Sequence, residues 1–108
     1  MKKGDIVLIS FPFTDLTGSK LRPAIILVAS QLDVTVAFIT SQFKWQEEFD
    51  ILMNPTPSNG LKIDSLIRLS KIATLDKNLV AGKFGSASEA DILSINNNLI
   101  KLFKLKSL

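Results

Sequence analysis

The sequence predicts a small curled β-barrel carrying a single C-terminal helix. Three observations carry this. Short β-branched apolar runs recur at close spacing through the first 84 residues, with turn-forming residues between them. The hydrophobic period then changes from strand-like to helical near Ser88. The chain has 108 residues, enough for one small domain and too few for two.

Ile6-Val7-Leu8-Ile9 reads as the first strand, stopped by Phe11-Pro12-Phe13. Thr14 to Lys20 is rich in turn formers and reads as a loop. Pro23 to Ala29 is the second strand, and the rule that proline suits a strand's first residue or an edge puts its start at Pro23. Ser30, Gln31 and Asp33 form a turn into the third strand, Thr35 to Ile39, so strands two and three should make a hairpin. Phe49 to Met53 is a short fourth strand, Asn54 to Gly60 a loop, Ser65 to Ile72 a fifth strand and Leu79 to Phe84 a weaker sixth. From Glu89 to about Lys104, Ile92, Ile95, Leu99, Leu102 and Phe103 recur at helical spacing, with Ser88 and Asp91 placed like a capping box. Lys101, Lys104 and Lys106 at the helix end suit its macrodipole. Several strand runs are apolar on both faces. A small barrel seldom covers both faces with its own chain, so a homodimer is expected.

Composition narrows the chemistry. Hydrophobic residues make up 46% and charged residues 21%, so a core is affordable and disorder is not indicated. Thirteen Lys and Arg against ten Asp and Glu give +3, which permits an anionic partner without demanding one. No Cys is present, which excludes disulfides, thiolate nucleophiles and Cys-bound metals. No His is present, which excludes a His base, a Ser-His-Asp triad and His metal ligands. Neither a metal site nor a cofactor motif is readable. No apolar stretch approaches a membrane span or makes a signal peptide, so a cytoplasmic protein without membrane attachment is expected.

One ordered set of motifs is more specific. Gly4-Asp5-Ile6-Val7 is followed by Lys20-Leu21-Arg22-Pro23 and its aliphatic strand, then Thr40-Ser41, then Asp64-Ser65-Leu66-Ile67-Arg68. This arrangement resembles the PemK/MazF family of toxin–antitoxin growth inhibitors, and the resemblance spans essentially the whole chain as one domain, residues 1–108. It implies an SH3-like barrel homodimer that cleaves single-stranded RNA without a metal, as an mRNA interferase. Such cleavage leaves a 2′,3′-cyclic phosphate and a 5′-hydroxyl. A cognate antitoxin would cover the RNA groove. Carried over by motif, the catalytic pair is Arg22 and Thr40; Ser19, Lys20, Ser41 and Arg68 are candidate RNA contacts. Relatives that carry Arg-x-Asp at the fifth strand have an Asp where this chain has Ser70, and relatives with a His in the first loop find no counterpart here.

The residue types agree with that chemistry. RNA supplies its own nucleophile, the 2′-hydroxyl, so a protein need only position the strand and stabilise charge on the phosphoryl oxygens. A guanidinium forks two donors onto those oxygens, and a threonine hydroxyl supplies another. Each residue also has a structural alternative. Arg22 suits a solvated strand end and Thr40 an ordinary strand position. Lys20 suits a solvated loop, and Arg68 an ion pair with an Asp such as Asp64. Phe13, Phe43 and Trp45 are candidates to stack on bases, with core or dimer packing favoured for Phe13, and Asp15 reads as a turn former. The same barrel also admits a different function, a non-enzymatic inhibitor that binds a protein such as DNA gyrase. The Arg22–Thr40 pair separates the two, because a binding toxin has no use for it.

Overall fold

The computed structural model describes residues 1–12 and 19–106. Six strands form one antiparallel sheet: β1 (Asp5–Pro12), β2 (Ser19–Ala29), β3 (Asp33–Thr40), β4 (Ile51–Met53), β5 (Ser65–Asp76) and β6 (Val80–Ser86). Their order is β4-β5-β3-β2-β1-β6. A single 3-10 turn, Lys77–Leu79, joins β5 to β6, and helix α1 (Glu89–Phe103) ends the chain. The barrel with one terminal helix is therefore present. No helix among the described residues is long and apolar enough to cross a membrane.

Side chains alternate across each strand, so the sheet sorts its apolar residues into two cores. One face carries Ile6, Ile25, Ala37, Ile39, Ile67 and Leu69, and α1 seals it with Ile95. The other carries Val7, Ile9, Ala24, Ile26, Val34 and Val36, closed by Leu75, Leu79 and Val80. The sheet curls so that late β5 and the 3-10 turn cover this second face. Both cores are thus closed by one chain, while Leu21 and Val28 of β2 and Leu52 of β4 stay exposed on the sheet. On α1, Leu93, Ile100 and Phe103 form a further exposed stripe beside its buried side.

Several boundaries differ from the sequence reading: β3 takes in Asp33 and Thr40, β4 starts only at Ile51, and β5 runs on to Asp76. β1 runs on through Phe11 to Pro12, and β2 begins at Ser19, four residues before Pro23. Both extensions come from pairing with each other, Pro12 with Ser19 and Phe11 with Lys20. Pro23 is tolerated inside β2 because it pairs with Leu8 of β1 while the ladder to β3 begins only at Ala24, which makes its position a local edge. The helix follows expectation closely. The Ser88 hydroxyl accepts the Asp91 N–H at 3.1 Å, and Lys104 caps the C-terminus in the left-handed conformation.

The N-terminus is fastened by Asp5, which is almost fully buried. Its carboxylate accepts the Lys2 N–H at 3.0 Å and meets the Lys83 ammonium of β6 at 3.2 Å. Burial alone would raise the Asp5 pKa, but the Lys2 amide and the Lys83 charge outweigh it and hold the carboxyl below its ordinary range. A folded pKa below the unfolded one stabilises the fold above the unfolded value, about pH 4, and that contribution drains away as pH falls through the folded value. Asp5→Asn is expected to cost about 1–3 kcal/mol at neutral pH. Thermal unfolding of both proteins should show the gap closing between pH 5 and pH 2; a gap that grows in acid would contradict this account of Asp5.

Candidate active site at the barrel mouth

Strand register assembles the site. Val7, Ala24, Phe38 and Arg68 stand side by side across β1, β2, β3 and β5. One step of two residues along the same face, Ile9 pairs with Arg22 and Thr40 pairs with Leu66. Extending the β2–β3 register by that step sets Arg22 opposite Thr40. Phe11 and Phe38 pack edge to face beside them, with centroids 5.7 Å apart. Phe11, Arg22, Phe38, Thr40 and Arg68, with Ile39 and Lys71, line an open cavity of about 370 Å³. Arg22 is exposed, and it has no carboxylate partner among the described residues.

Thr40 is half-buried at the end of β3, and its Oγ1 accepts the Gln42 N–H at 3.1 Å. This local turn occupies a lone pair and leaves the hydroxyl proton to be donated. The fold thus provides a guanidinium and an oriented hydroxyl on neighbouring strands, both facing one solvent-open cavity. Such a pair can grip two or more oxygens of a phosphate.

Arg68 reaches the same cavity but is engaged elsewhere. Its Nη2 lies 3.0 Å from Glu47 Oε1 and its Nε 2.8 Å from Asp50 Oδ2. The Arg68 side chain is 12% exposed and that of Asp50 1%. The ion pair anticipated for Arg68 is therefore made with Asp50 and Glu47 rather than with Asp64. Ser70 donates to the same Glu47 oxygen at 3.2 Å. Two carboxylates beside Arg68 offset most of its charge toward a phosphate.

The remaining candidates scatter. Lys20 is exposed on β2, and for Ser19 only the backbone is described. Ser41 opens instead onto a neighbouring cavity of about 420 Å³, largely apolar, between Pro23, Leu61 and Phe84. Asn59 braces the loop before Gly60 and Leu61: its side chain accepts the Thr56 and Leu61 N–H groups and donates to the Asn54 carbonyl. Gly60, at φ +71°, lies so close to β6 that a Cβ would run into the Phe84 carbonyl. Phe43 and Trp45 are exposed, and Phe13 and Asp15 lie outside the described residues. Sequence reasoning missed Glu47, Asp50 and Lys71. An arginine on an otherwise apolar strand was the available signal for the first two, since it calls for a carboxylate partner. No group of three or more His, Cys, Asp or Glu gathers among the described residues in a way that could hold a metal ion.

The same architecture occurs in solved structures. An endoribonuclease in complex with its cognate antitoxin, from a mycobacterial species, superposes with a TM-score of 0.77 at 18% identity, over 100% of this chain and 99% of that one. The Mycobacterium tuberculosis toxin MazF-mt6 superposes at 0.75 and 20% identity, over 95% and 99%. An endoribonuclease from a mycobacterial species does so at 0.72 and 17%, over 100% and 95%. At these identities the likeness establishes a shared fold. No protein of curated function matches the sequence. A family model, PemK-like, MazF-like toxin of type II toxin-antitoxin system, does match, over residues 2–103. Nearly the whole chain, including every strand and helix described above, falls inside that match, and the protein belongs to the PemK-like, MazF-like toxin family of type II toxin–antitoxin systems.

Proposed function

We propose that this chain is a growth-inhibiting toxin that cuts single-stranded RNA, as a metal-independent endoribonuclease selective for sequence. The observation that carries the proposal is that Arg22 and Thr40, on adjacent strands, line one open cavity. The scissile phosphate lies against the Arg22 guanidinium, with the Thr40 hydroxyl donating to a further oxygen. The 2′-oxygen of the upstream ribose attacks phosphorus and loses its proton. The bond from phosphorus to the 5′-oxygen breaks, and that oxygen gains a proton. The products are a 2′,3′-cyclic phosphate and a 5′-hydroxyl. Arg22 and Thr40 stabilise the charge that gathers on the phosphoryl oxygens. Lys20, Lys71 and Ser41 flank the path of the strand, and Ser19 stands next to Lys20 at the start of β2. Arg68 serves chiefly as the clamp of the loop beside the cavity. The solved relative bound to its cognate antitoxin supports an antitoxin partner here, whose acidic segment would compete with RNA for the same cations.

Arg22→Ala should lose roughly 10²–10³ in cleavage rate while RNA affinity changes far less. Arg22→Lys should rescue little, because an ammonium cannot fork, and Thr40→Ser should be milder than Thr40→Val. A substrate with one 2′-deoxyribose at the cut should bind and stay whole. Cutting of that substrate, or full activity of Arg22→Ala, would refute the mechanism. Unchanged growth inhibition by the Arg22→Ala, Thr40→Val double variant would transfer the function to a non-enzymatic binder of a protein such as DNA gyrase.

The metal-independent reading is supported by the absence of His and Cys from the chain and by the scattering of its carboxylates. Cleavage is expected to persist in excess EDTA. Loss of activity restored by Mg²⁺ or Mn²⁺ would overturn it.

A homodimer is supported by the α1 stripe of Leu93, Ile100 and Phe103, which are 60%, 40% and 56% exposed. An isologous contact would bury it. Light scattering at micromolar concentration should give twice the chain mass, and Ile100→Lys with Phe103→Lys should halve it. A wild-type monomer that still cuts RNA would remove the dimer from the function.

A further inference from the structure

We propose that Trp45, with Lys44 and Lys71, forms a second nucleotide subsite, on which a base flanking the reacting phosphate stacks. The inference rests on the endoribonuclease reading of the Arg22–Thr40 cavity and extends it to the strand beyond the cut. Trp45 is 66% exposed, although an indole is the largest apolar group a chain can leave in water. The Lys44 ammonium lies 5.1 Å from its ring centroid, a cation–π contact that holds a positive charge beside the ring.

The loop that carries the ring is fixed. Gln46 donates its N–H to the Phe43 carbonyl, and Glu47 and Asp50 bond to each other through backbone and side chain. Arg68 ties both carboxylates to β5, and Asn98 of α1 donates to the Phe49 carbonyl. The backbone that carries the indole is therefore held against β5 and α1, as a stacking platform requires.

The setting is continuous with the reaction site. A cavity of about 530 Å³ runs beside Trp45, and Arg68 and Lys71 form walls of both this cavity and the one at Arg22 and Thr40. Lys44 and Lys71 supply attraction for phosphates, since Glu47 and Asp50 offset Arg68. A cationic path with an aromatic face at its side is the recognition chemistry of single-stranded nucleic acid. A duplex keeps its bases stacked on one another and offers the indole nothing.

Trp45 is the only tryptophan in the chain, so its emission reports on this site alone. The probe is a mixed-sequence 2′-O-methyl RNA 12-mer, which lacks the nucleophile and cannot be cut. An abasic 12-mer of equal charge is the control. The RNA should quench Trp45 emission and the abasic strand should not. Trp45→Ala should bind a labelled RNA 12-mer roughly 5- to 150-fold more weakly, with Trp45→Phe between. On a cleavable transcript Trp45→Ala should raise KM and keep kcat. Equal quenching by the abasic strand, unchanged affinity of Trp45→Ala, or no binding of RNA would overturn the subsite. So would quenching by an acidic peptide but not by RNA, which would give Trp45 to a protein partner. Because the 12-mer is uncleavable, the two readings fail separately: quenching without cleavage of the transcript keeps the subsite and removes the nuclease, and cleavage without quenching does the reverse.

Discussion

Between Arg68 and Ile72 the strand β5 advances four residues while its neighbour β3 moves by one, from Phe38 back to Ala37. Leu69, Ser70 and Lys71 are left without partners on β3, and the strand must bend there. Beyond the bend, β5 still pairs with β3 as far as Asp76 but over the other side of the sheet's curl, bringing Leu75 and then Leu79 onto the face that Val7, Ile9 and Ile26 present. Without that interruption β5 would continue flat and the second core would stand open to water. The bend also turns Lys71 to the site. Strict alternation from Arg68 would put Lys71 on the far face, yet it lines the same cavity as Arg22 and Thr40.

The bend creates a demand that the loop before β4 meets. Arg68 stands where the strand is about to leave its ladder, with a side chain only 12% exposed. Desolvating a guanidinium requires a counter-charge, and Asp50 and Glu47 supply two. Removing one partner of such a pair typically costs about 3–5 kcal/mol, because the other charge stays buried and alone. The ion pairs therefore act less as net stabilisers than as a specification of where the loop must lie. That specification sets the backbone from Phe43 to Asp50 against β5 and leaves Lys44 and Trp45 outermost.

Much of this was legible in the sequence, for reasons that differ by element. The helix was legible because its cap and its apolar period are local: Ser88, Ile92, Ile95, Leu99 and Leu102 need no distant partner to be read. The strands were legible as β-branched runs, but their ends were set by pairing. β2 starts at Ser19 because Pro12 lies opposite, a fact no local rule contains. Arg22 and Thr40 were legible as polar residues in motifs like the family's, and neighbouring strands bring both to one cavity, although Arg22 lies inside β2 rather than at its end. The partners of Arg68 were not legible, because Asp64 is nearer along the chain while Asp50 is the one folded against it. Lys71 was hidden by the bulge, which breaks the period-two rule used to assign faces. The closing of both cores by one chain was hidden for the same reason, since it depends on how far the sheet curls.

The distribution of charge follows from these placements. A net charge of +3 is small, and a uniform spread of it would do little to hold a polyanion. The fold instead sorts cations by whether a carboxylate lies beside them. Lys83 is matched by Asp5, and Arg68 by Asp50 and Glu47. Among the described cations that have no salt bridge, Arg22 and Lys71 line one cavity and Lys44 the next, and no carboxylate lines the first. For a chain with no His and no Cys, positive charge held in place is the chief means its side chains have of engaging a polyanion. It suits a substrate that carries both its own nucleophile and its own negative charge, because such a substrate needs alignment and charge stabilisation more than it needs a base. A rigid antiparallel frame is the cheapest way to supply that alignment, since adjacent strands fix their facing side chains at about 5 Å with no further machinery.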